Sequence, residues 1–308
     1  MKTTGTKPSL LEAFLQYLST ERKYSPHTQL AYKKDLTDFS VFIEKNFQLN
    51  LLNNSSDLED LTQKMIRSWI VSFELKRSSA LRKISAVRAY LNFCRRAGHL
   101  THNPATDLVL PKQEKRLPVF VPQEQMVHLL DHFPWDNSFE SVRDRAMIEM
   151  FYSCGLRREE LIQLSYSNIH FGQKILKVFG KGKKERIVPF GQPLQEVMQA
   201  YISTCENLNL NYKGKNFFLT VEGNPIYPKL VYRVVNYYLS WLGNLSKASP
   251  HVLRHTFATH LLDNGADLNA VKELLGHTSL AATQVYVHNS IQKLKNVHKK
   301  AHPKAEKS

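Results

Sequence analysis

The residues able to do chemistry lie in short runs along the second half of the chain. Ser249-Pro250-His251-Val-Leu-Arg254-His255 reads as a helix start, with Ser249 as N-cap and Pro250 as first helical residue. His251 and Arg254, three apart, share one face of that first turn. Free backbone N–H groups and the positive end of the helix dipole favour an anionic phosphate there. Cys154-Gly-Leu-Arg157-Arg-Glu-Glu160-Leu offers a second fixed cation. Its glycine can end one helix, Arg157 stands at the entrance to the next, and Glu160 is placed to orient it. A guanidinium so held can fork two hydrogen bonds onto a phosphate.

Lys181 lies in the glycine-flanked turn Gly180-Lys-Gly-Lys-Lys184, from which a lysine can reach into a groove or deliver a proton. The turn lacks the GxxxxGK[ST] pattern, so nothing points to ATP. Further on, Leu274-Leu-Gly-His277 is followed nine residues later by Tyr286. A tyrosine hydroxyl, with a reference pKa of ~10, is a poor nucleophile at neutral pH. It becomes useful where cations stabilise the developing phenolate and a pentavalent phosphorus. Each run taken singly has a plainer reading: a capped helix, a helix-junction ion pair, a solvated basic turn, two ordinary rings. No acidic cluster suited to Mg²⁺ and no His/Cys zinc set accompanies them, so the sequence predicts neither metal nor cofactor. Phosphoryl transfer here would rest on cationic side chains.

The elements that must carry these runs are mostly helical. Ser9 and Glu12 form a capping-box pattern before Leu11, Phe14, Leu15 and Leu18. Ser25-Pro26 starts a second helix, and two more are predicted over 63–74 and 79–97. The last turns Ile84, Val87, Leu91 and Cys94 inward, with Arg82, Lys83 and Arg88 elsewhere. Those three, and Lys183 in the hairpin, are the candidates for touching a nucleic-acid backbone; their plainer reading is a solvated face. Pro104, Pro111, Pro118 and Pro122 mark an extended linker. Helices follow over 123–133, 142–152 and 158–164, then two β-rich runs around the Gly/Lys turn read as a hairpin. After Pro193 the pattern is helical again, interrupted over 213–228. The expected domains are 1–103, a linker over 104–118, a second domain over 119–300 and a basic tail over 301–308.

Composition agrees with a polyanion partner. The chain has 308 residues, 42% of them hydrophobic, which is enough for two cores and excludes wholesale disorder. Its formal charge is +15, and both halves are basic: 17 Lys and Arg against 10 acidic residues up to Lys112, 25 against 17 beyond it. A nucleic acid is therefore the leading partner. Three cysteines without CxxC spacing support neither a disulfide framework nor a zinc finger. No apolar run approaches the length of a membrane span and the N-terminus has no signal-peptide core, so a cytoplasmic protein is expected.

In chain order the runs read Arg157, Lys181, His251, Arg254, His277 and Tyr286, within GLRREEL, GKGKKER, HVLRHTFATHLL and LLGHTSLAATQVY. In this the chain resembles the tyrosine recombinase (phage-integrase) family over nearly its whole length, and within it the XerC/XerD chromosome-dimer recombinases. SSALRKISAVRAYLNFC and NPATDLVLPK are similar to the end of the family's core-binding domain and its linker. Glu159 departs from the serine common in relatives, and the stretch 76–79 is shorter than usual.

The resemblance implies a mainly α fold: a four-helix, SAM-like core-binding domain and a mixed α/β catalytic domain with a small antiparallel sheet. It implies that Tyr286 attacks the scissile phosphate to form a 3′-phosphotyrosyl bond. Arg157 and Arg254 would hold the non-bridging oxygens, Lys181 protonate the leaving 5′-oxygen, His251 serve as acid/base, and His277 donate to the phosphate. No ATP or metal would be needed. The implied partners are a double-stranded DNA site, a homo- or hetero-tetramer of recombinases on two duplexes, and a cell-division DNA translocase. The implied role is resolution of chromosome or plasmid dimers. The readings weighed against it are a mobile-element integrase, a non-catalytic DNA-binding protein on the same fold, and a type IB topoisomerase. The tail from Ile291, which docks onto a neighbouring subunit in family members, would otherwise be solvated from Lys299 onward.

Overall fold

Ser9 Oγ accepts from the Glu12 N–H and the Glu12 carboxylate accepts from the Ser9 N–H, which opens α1 (Leu10–Thr20) as the capping pattern requires. In this computed structural model the described residues are 9–53, 56–72, 77–108, 119–180, 185–243, 245, 248–276 and 295–304. They fall in two units, 1–116 and 117–308.

In the N-terminal unit, α2 (Pro26–Phe47) starts at Ser25 with Pro26 in its first turn, followed by α3 (Gln63–Val71) and α4 (Arg77–Arg96). Phe14, Leu36, Phe39, Ile43, Trp69, Val87, Tyr90, Leu91 and Cys94 share one core, so the apolar stripes read from the sequence are the buried faces. Two expectations change here. Ala105 and Leu108, placed in the linker, are buried in this core, and Arg88 donates to both of their carbonyls. Lys83, placed away from the core, is itself buried and paired with Asp35 and Asp38. The four-carbon stem lets a lysine cover apolar surface while its ammonium meets carboxylates.

The C-terminal unit begins with α5 (Gln123–His132) and α6 (Phe139–Cys154). α6 is buried almost all round, which explains why apolar periodicity predicts only its middle, 142–152. After α7 (Arg158–Ile162) come β1 (Ile169–His170), β2 (Ile175–Phe179) and β3 (Glu185–Pro189), antiparallel in that order with Val178 opposite Arg186 and Leu176 opposite Val188. The two-residue β1 carries no period and has no counterpart in the sequence reading. Then follow α8 (Gln192–Asn207), α9 (Pro228–Ser240), α10 (Pro250–Asp263) and α11 (Leu268–Leu275). No described helix is long and apolar enough to cross a membrane.

α10 is tied to the start of the unit by a buried chain of hydrogen bonds. His260 Nε2–H donates to Val121 O (2.9 Å), and its Nδ1 accepts from the Tyr152 hydroxyl (3.0 Å). Thr256 Oγ1 accepts from the Val121 N–H. The end of the chain also differs from expectation. A helix over 295–301 packs on the chain's own α6, where His298 donates to Ser153 O and His302 to Tyr152 O. Lys304, expected in a solvated tail, is buried and bonds Asp131 at 2.6 Å. The apolar contact is Ala301 against the Phe257, Leu261 and Leu274 cluster. The helix's histidines are buried neutral, so they add no charge to desolvate.

Candidate active site

Gly155 ends α6 in the left-handed conformation (φ +57°), and only this reversal lets Arg157 stand as N-cap of α7. A Cβ on Gly155 would lie 2.4 Å from Phe257, so the position excludes a side chain on steric as well as conformational grounds. Glu160, on the third residue of α7, folds back as a capping box: one carboxylate oxygen accepts from the Arg157 N–H and the other from Arg157 Nη1, both at 2.7 Å. The ion pair that the spacing of Arg157 and Glu160 suggests is therefore present.

A second arginine reaches the same carboxylate from β3. Arg186 Nη1 and Nη2 donate to the two Glu160 oxygens at 2.7 and 2.8 Å in a fork. Arg254, one turn into α10, brings its Nη1 to 3.8 Å from Glu160 Oε2 and donates to Gly155 O at 2.5 Å. Among the described residues one carboxylate thus faces three guanidiniums, which leaves two positive charges in excess.

The same arginines converge on the end of α11. Arg186 Nε donates to Leu274 O (2.8 Å), Arg254 Nη2 to Leu275 O, and Arg157 Nη2 to Gly276 O (3.4 Å). These are the last carbonyls of a helix, which have no intrahelical donor and lie at the negative end of its dipole. Gly276 turns the chain away at φ +66° immediately before His277.

Burial sets the electrostatics. The Glu160 side chain is only 4% exposed, and burial alone would raise its pKa. The hydrogen bonds and charge of Arg186, and then of Arg157, outweigh that and hold it down at about 2. Burial and the neighbouring Arg157 lower Arg254 to about 10, so it remains a cation at neutral pH. Arg157 is the accessible member, 36% exposed against 10% for Arg254. The arrangement can grip an anion at Arg157 while the deeper charges hold the field in place.

His251 is exposed on the first turn of α10, at the N-terminus where the sequence places it. Ser249 begins the helix but makes no side-chain cap, and its buried hydroxyl has no hydrogen-bond partner among the described residues. Lys181, Lys183, His277 and Tyr286 lie outside the described residues. Among the described residues no group of three or more His, Cys, Asp or Glu side chains is placed to hold a metal ion.

The candidate DNA contacts of the N-terminal unit are engaged within the fold. Arg82 pairs with Asp35 and is 45% exposed, Lys83 is buried against Asp35 and Asp38, and Arg88 caps carbonyls of Ala105 and Leu108. The missed residue is Arg186. Its signal is parity: on a strand it shares a face with Val188, which is fully buried, so a charge at that position must find a buried partner.

Residues 120–293 match the phage integrase family, and residues 11–98 match the phage integrase N-terminal SAM-like domain. The chain is 38% identical to a tyrosine recombinase XerC of Pelobacter propionicus, over 96% of this chain and 95% of the relative. It is 39% identical to a tyrosine recombinase XerC of Staphylococcus aureus, over 96% and 97%. Among solved structures, XerH site-specific recombinase bound to difH substrate is similar with a TM-score of 0.67 at 19% identity, covering 94% of this chain and 84% of that one. The Tn1549 transposon integrase in complex with transposon right end DNA is similar with a TM-score of 0.68 at 15% identity, covering 94% and 99%.

Proposed function

The chain belongs to the phage integrase family and is a tyrosine site-specific recombinase, and from that premise we propose that it resolves chromosome or plasmid dimers by strand exchange through Tyr286. The observation that carries the chemistry is the surplus of charge around Glu160: three guanidiniums against one carboxylate. A phosphodiester brings one negative charge and a pentavalent phosphorane a second. The excess therefore matches the transition state better than the ground state, which is the condition for catalysis.

In this reading Arg157 and Arg254 take the non-bridging oxygens. Tyr286 attacks phosphorus, the bond to the 5′-oxygen breaks, and Lys181 supplies the proton that the departing oxygen needs. His251 takes the tyrosine proton, and His277 donates a further hydrogen bond to the phosphate. The partner strand's 5′-hydroxyl then attacks the 3′-phosphotyrosyl bond and releases Tyr286. One phosphoester replaces another throughout, so no high-energy cofactor enters the balance. Exchange needs four recombinases on two double-stranded sites, identical or paired with a paralogue, in the cytoplasm, with a cell-division DNA translocase as the partner that times it. The XerC relatives support the dimer-resolution role over integration of a mobile element.

A nicked suicide substrate tests the reading. The wild-type chain should be trapped on DNA by a 3′ linkage, and Tyr286→Phe should bind DNA without forming the adduct. An adduct that survives Tyr286→Phe overturns the assignment and moves the search to the exposed Tyr232, since Tyr238 is buried. Efficient relaxation by monomers without a specific site would instead favour a topoisomerase.

A further inference from the structure

Arg186 makes three side-chain hydrogen bonds within the site, and its side chain is only 9% exposed. Its fork occupies both Glu160 oxygens, at 2.7 and 2.8 Å, and its third nitrogen holds Leu274 O at 2.8 Å. Its stem fits so closely under the end of α11 that a Cβ on Gly276 would come within 2.9 Å of Arg186 Cδ. It also stands second in β3, the strand that follows Lys181–Lys184 in the chain. Three segments therefore meet at one planar group: the Arg157–Glu160 turn, the strand leading from Lys181, and the α11 terminus leading into His277.

We propose that Arg186 is a positioning residue of the recombinase reaction, holding Glu160 against Arg157 and Arg254 and fastening the strand after Lys181 to the end of α11. The inference rests on the reading of those residues given above. The chemistry requires an arginine. Two parallel N–H groups aimed at a carboxylate and a third N–H turned toward a carbonyl are the geometry of a guanidinium. A lysine, a point charge on a flexible stem, can satisfy only part of it. Loss of the fork leaves Glu160 held by Arg157 and, at longer range, Arg254. The carboxylate is then free to rotate with Arg157 and to carry the phosphate-gripping guanidinium out of register. A misplacement of about 1 Å in a reacting assembly costs on the order of 10²-fold in rate.

Among the described residues Glu160 is faced by three charged groups: Arg157 from its own turn, Arg186 from β3 and Arg254 from α10. Because burial pushes its carboxyl up and Arg186 is the first force holding it down, weakening Arg186 should make Glu160 protonate at a higher pH. A residue that only stabilised the fold would not move this protonation.

The experiment uses the full-length protein and a nicked suicide substrate in single-turnover cleavage at neutral pH, with DNA binding on the same samples and thermal melting followed from pH 2 to 7. Arg186→Lys keeps a charge at the site and should fold and bind DNA within about twofold of wild type. It should cleave ~10²-fold more slowly, and its melting temperature should begin its acid decline at a higher pH than that of wild type, as Glu160 protonates. Arg186→Gln should be slower still, and Glu160→Gln combined with Arg186→Lys should be no worse than Glu160→Gln alone, since both act through one carboxylate. Cleavage by Arg186→Lys within threefold of wild type would overturn the inference. So would a loss that tracks melting temperature with an unmoved pH profile, or additive effects in the double variant. Failure of the wild-type chain itself to form an adduct would instead overturn the reading of Tyr286.

Discussion

Each unit of the molecule buries a carboxylate among cations, and the two clusters behave oppositely. In the N-terminal unit Asp35, 1% exposed, pairs with Arg82 and Lys83, and Lys83 also bonds Asp38 at 2.5 Å. Two acids meet two cations, and burial still wins: the Asp35 carboxyl is raised despite Arg82 and Lys83. In the C-terminal unit Glu160 meets three arginines, and the carboxyl is held at about 2. The first cluster is balanced, and its Arg82, 45% exposed, is weakened by water. The second holds its Arg186–Glu160 fork in the interior and is over-supplied with positive charge. A balanced cluster has nothing left to bind. One with a surplus is complete only when an anion arrives, and that distinguishes a structural ion pair from a site.

Neutralising each acid is the strongest way to break the comparison. Glu160→Gln leaves three guanidiniums facing one another without a counter-charge. It should cost about 3–5 kcal/mol in urea unfolding, and cleavage should fall on the order of 10³-fold. Asp35→Asn removes a carboxylate that the fold already disfavours as an anion, and should cost ~1 kcal/mol with cleavage unchanged. Similar losses from both would erase the distinction. The linkage signs differ in the same way. Glu160, lowered in the fold from its ordinary 4.5 to about 2, contributes about 3 kcal/mol above pH 4.5, lost as the pH falls toward 2. The raised Asp35 has the opposite sign: its ionisation costs stability at neutral pH, and stability is regained as the pH falls and it protonates.

Gly155→Ala tests whether the surplus depends on placement rather than on charge count alone. No charge changes, but the added Cβ would press on Phe257 at a positive φ and displace the carbonyl that holds Arg254. A destabilisation of about 2–3 kcal/mol and a loss of cleavage of about 10-fold or more are expected. Normal cleavage by a folded Gly155→Ala protein would show that Arg254 needs no such support.

Groups buried without charge sharpen the contrast. Burial lowers His298 to about 4, and burial with the neighbouring His298 lowers His302 well below its ordinary value, while the carbonyls of Ser153 and Tyr152 accept their N–H groups. Lys304 and His260 also face His302. Both histidines are neutral in the fold and protonate near 6.5 when unfolded, so stability is full above pH 6.5 and declines as the pH falls toward 4. At pH 5 the loss should be about 2 kcal/mol from His298, with a loss of the same sign from His302, read as a lower melting temperature than at pH 7. A chain ending at residue 294 should lose most of that pH dependence; an unchanged slope would locate it elsewhere.

The smallest effect is expected for Lys83→Met. Its ammonium already pairs with Asp35 and Asp38, so DNA affinity should change by less than about twofold and the salt slope of binding should not shift. A shallower slope by about one counterion would return Lys83 to the DNA interface.

Local rules made much of this protein legible. The Ser9–Glu12 capping box, the Ser25-Pro26 start and the inward set Ile84, Val87, Leu91 and Cys94 follow from spacing alone, because a helix repeats every 3.6 residues whatever surrounds it. The hairpin, the Gly155 reversal and the Arg157–Glu160 pair are likewise contacts over a few residues. Periodicity fell short where burial left it no polar face to mark, as in α6, or where an element was too short to show a period, as in β1.

Which distant groups share a charge was settled by folding. Arg186 lies 26 residues from Glu160 and 88 from Leu274, and no local pattern ties the three together. The linker carbonyls of Ala105 and Leu108 found Arg88, and Lys304 found Asp131 across 173 residues. Buried polar atoms must be satisfied, and the chain meets that demand wherever folding brings a partner close, not where the sequence runs near. The sequence alone therefore determined the elements and the types of residue offered to a phosphate; three-dimensional packing decided which carboxylate balances them, and left the surplus.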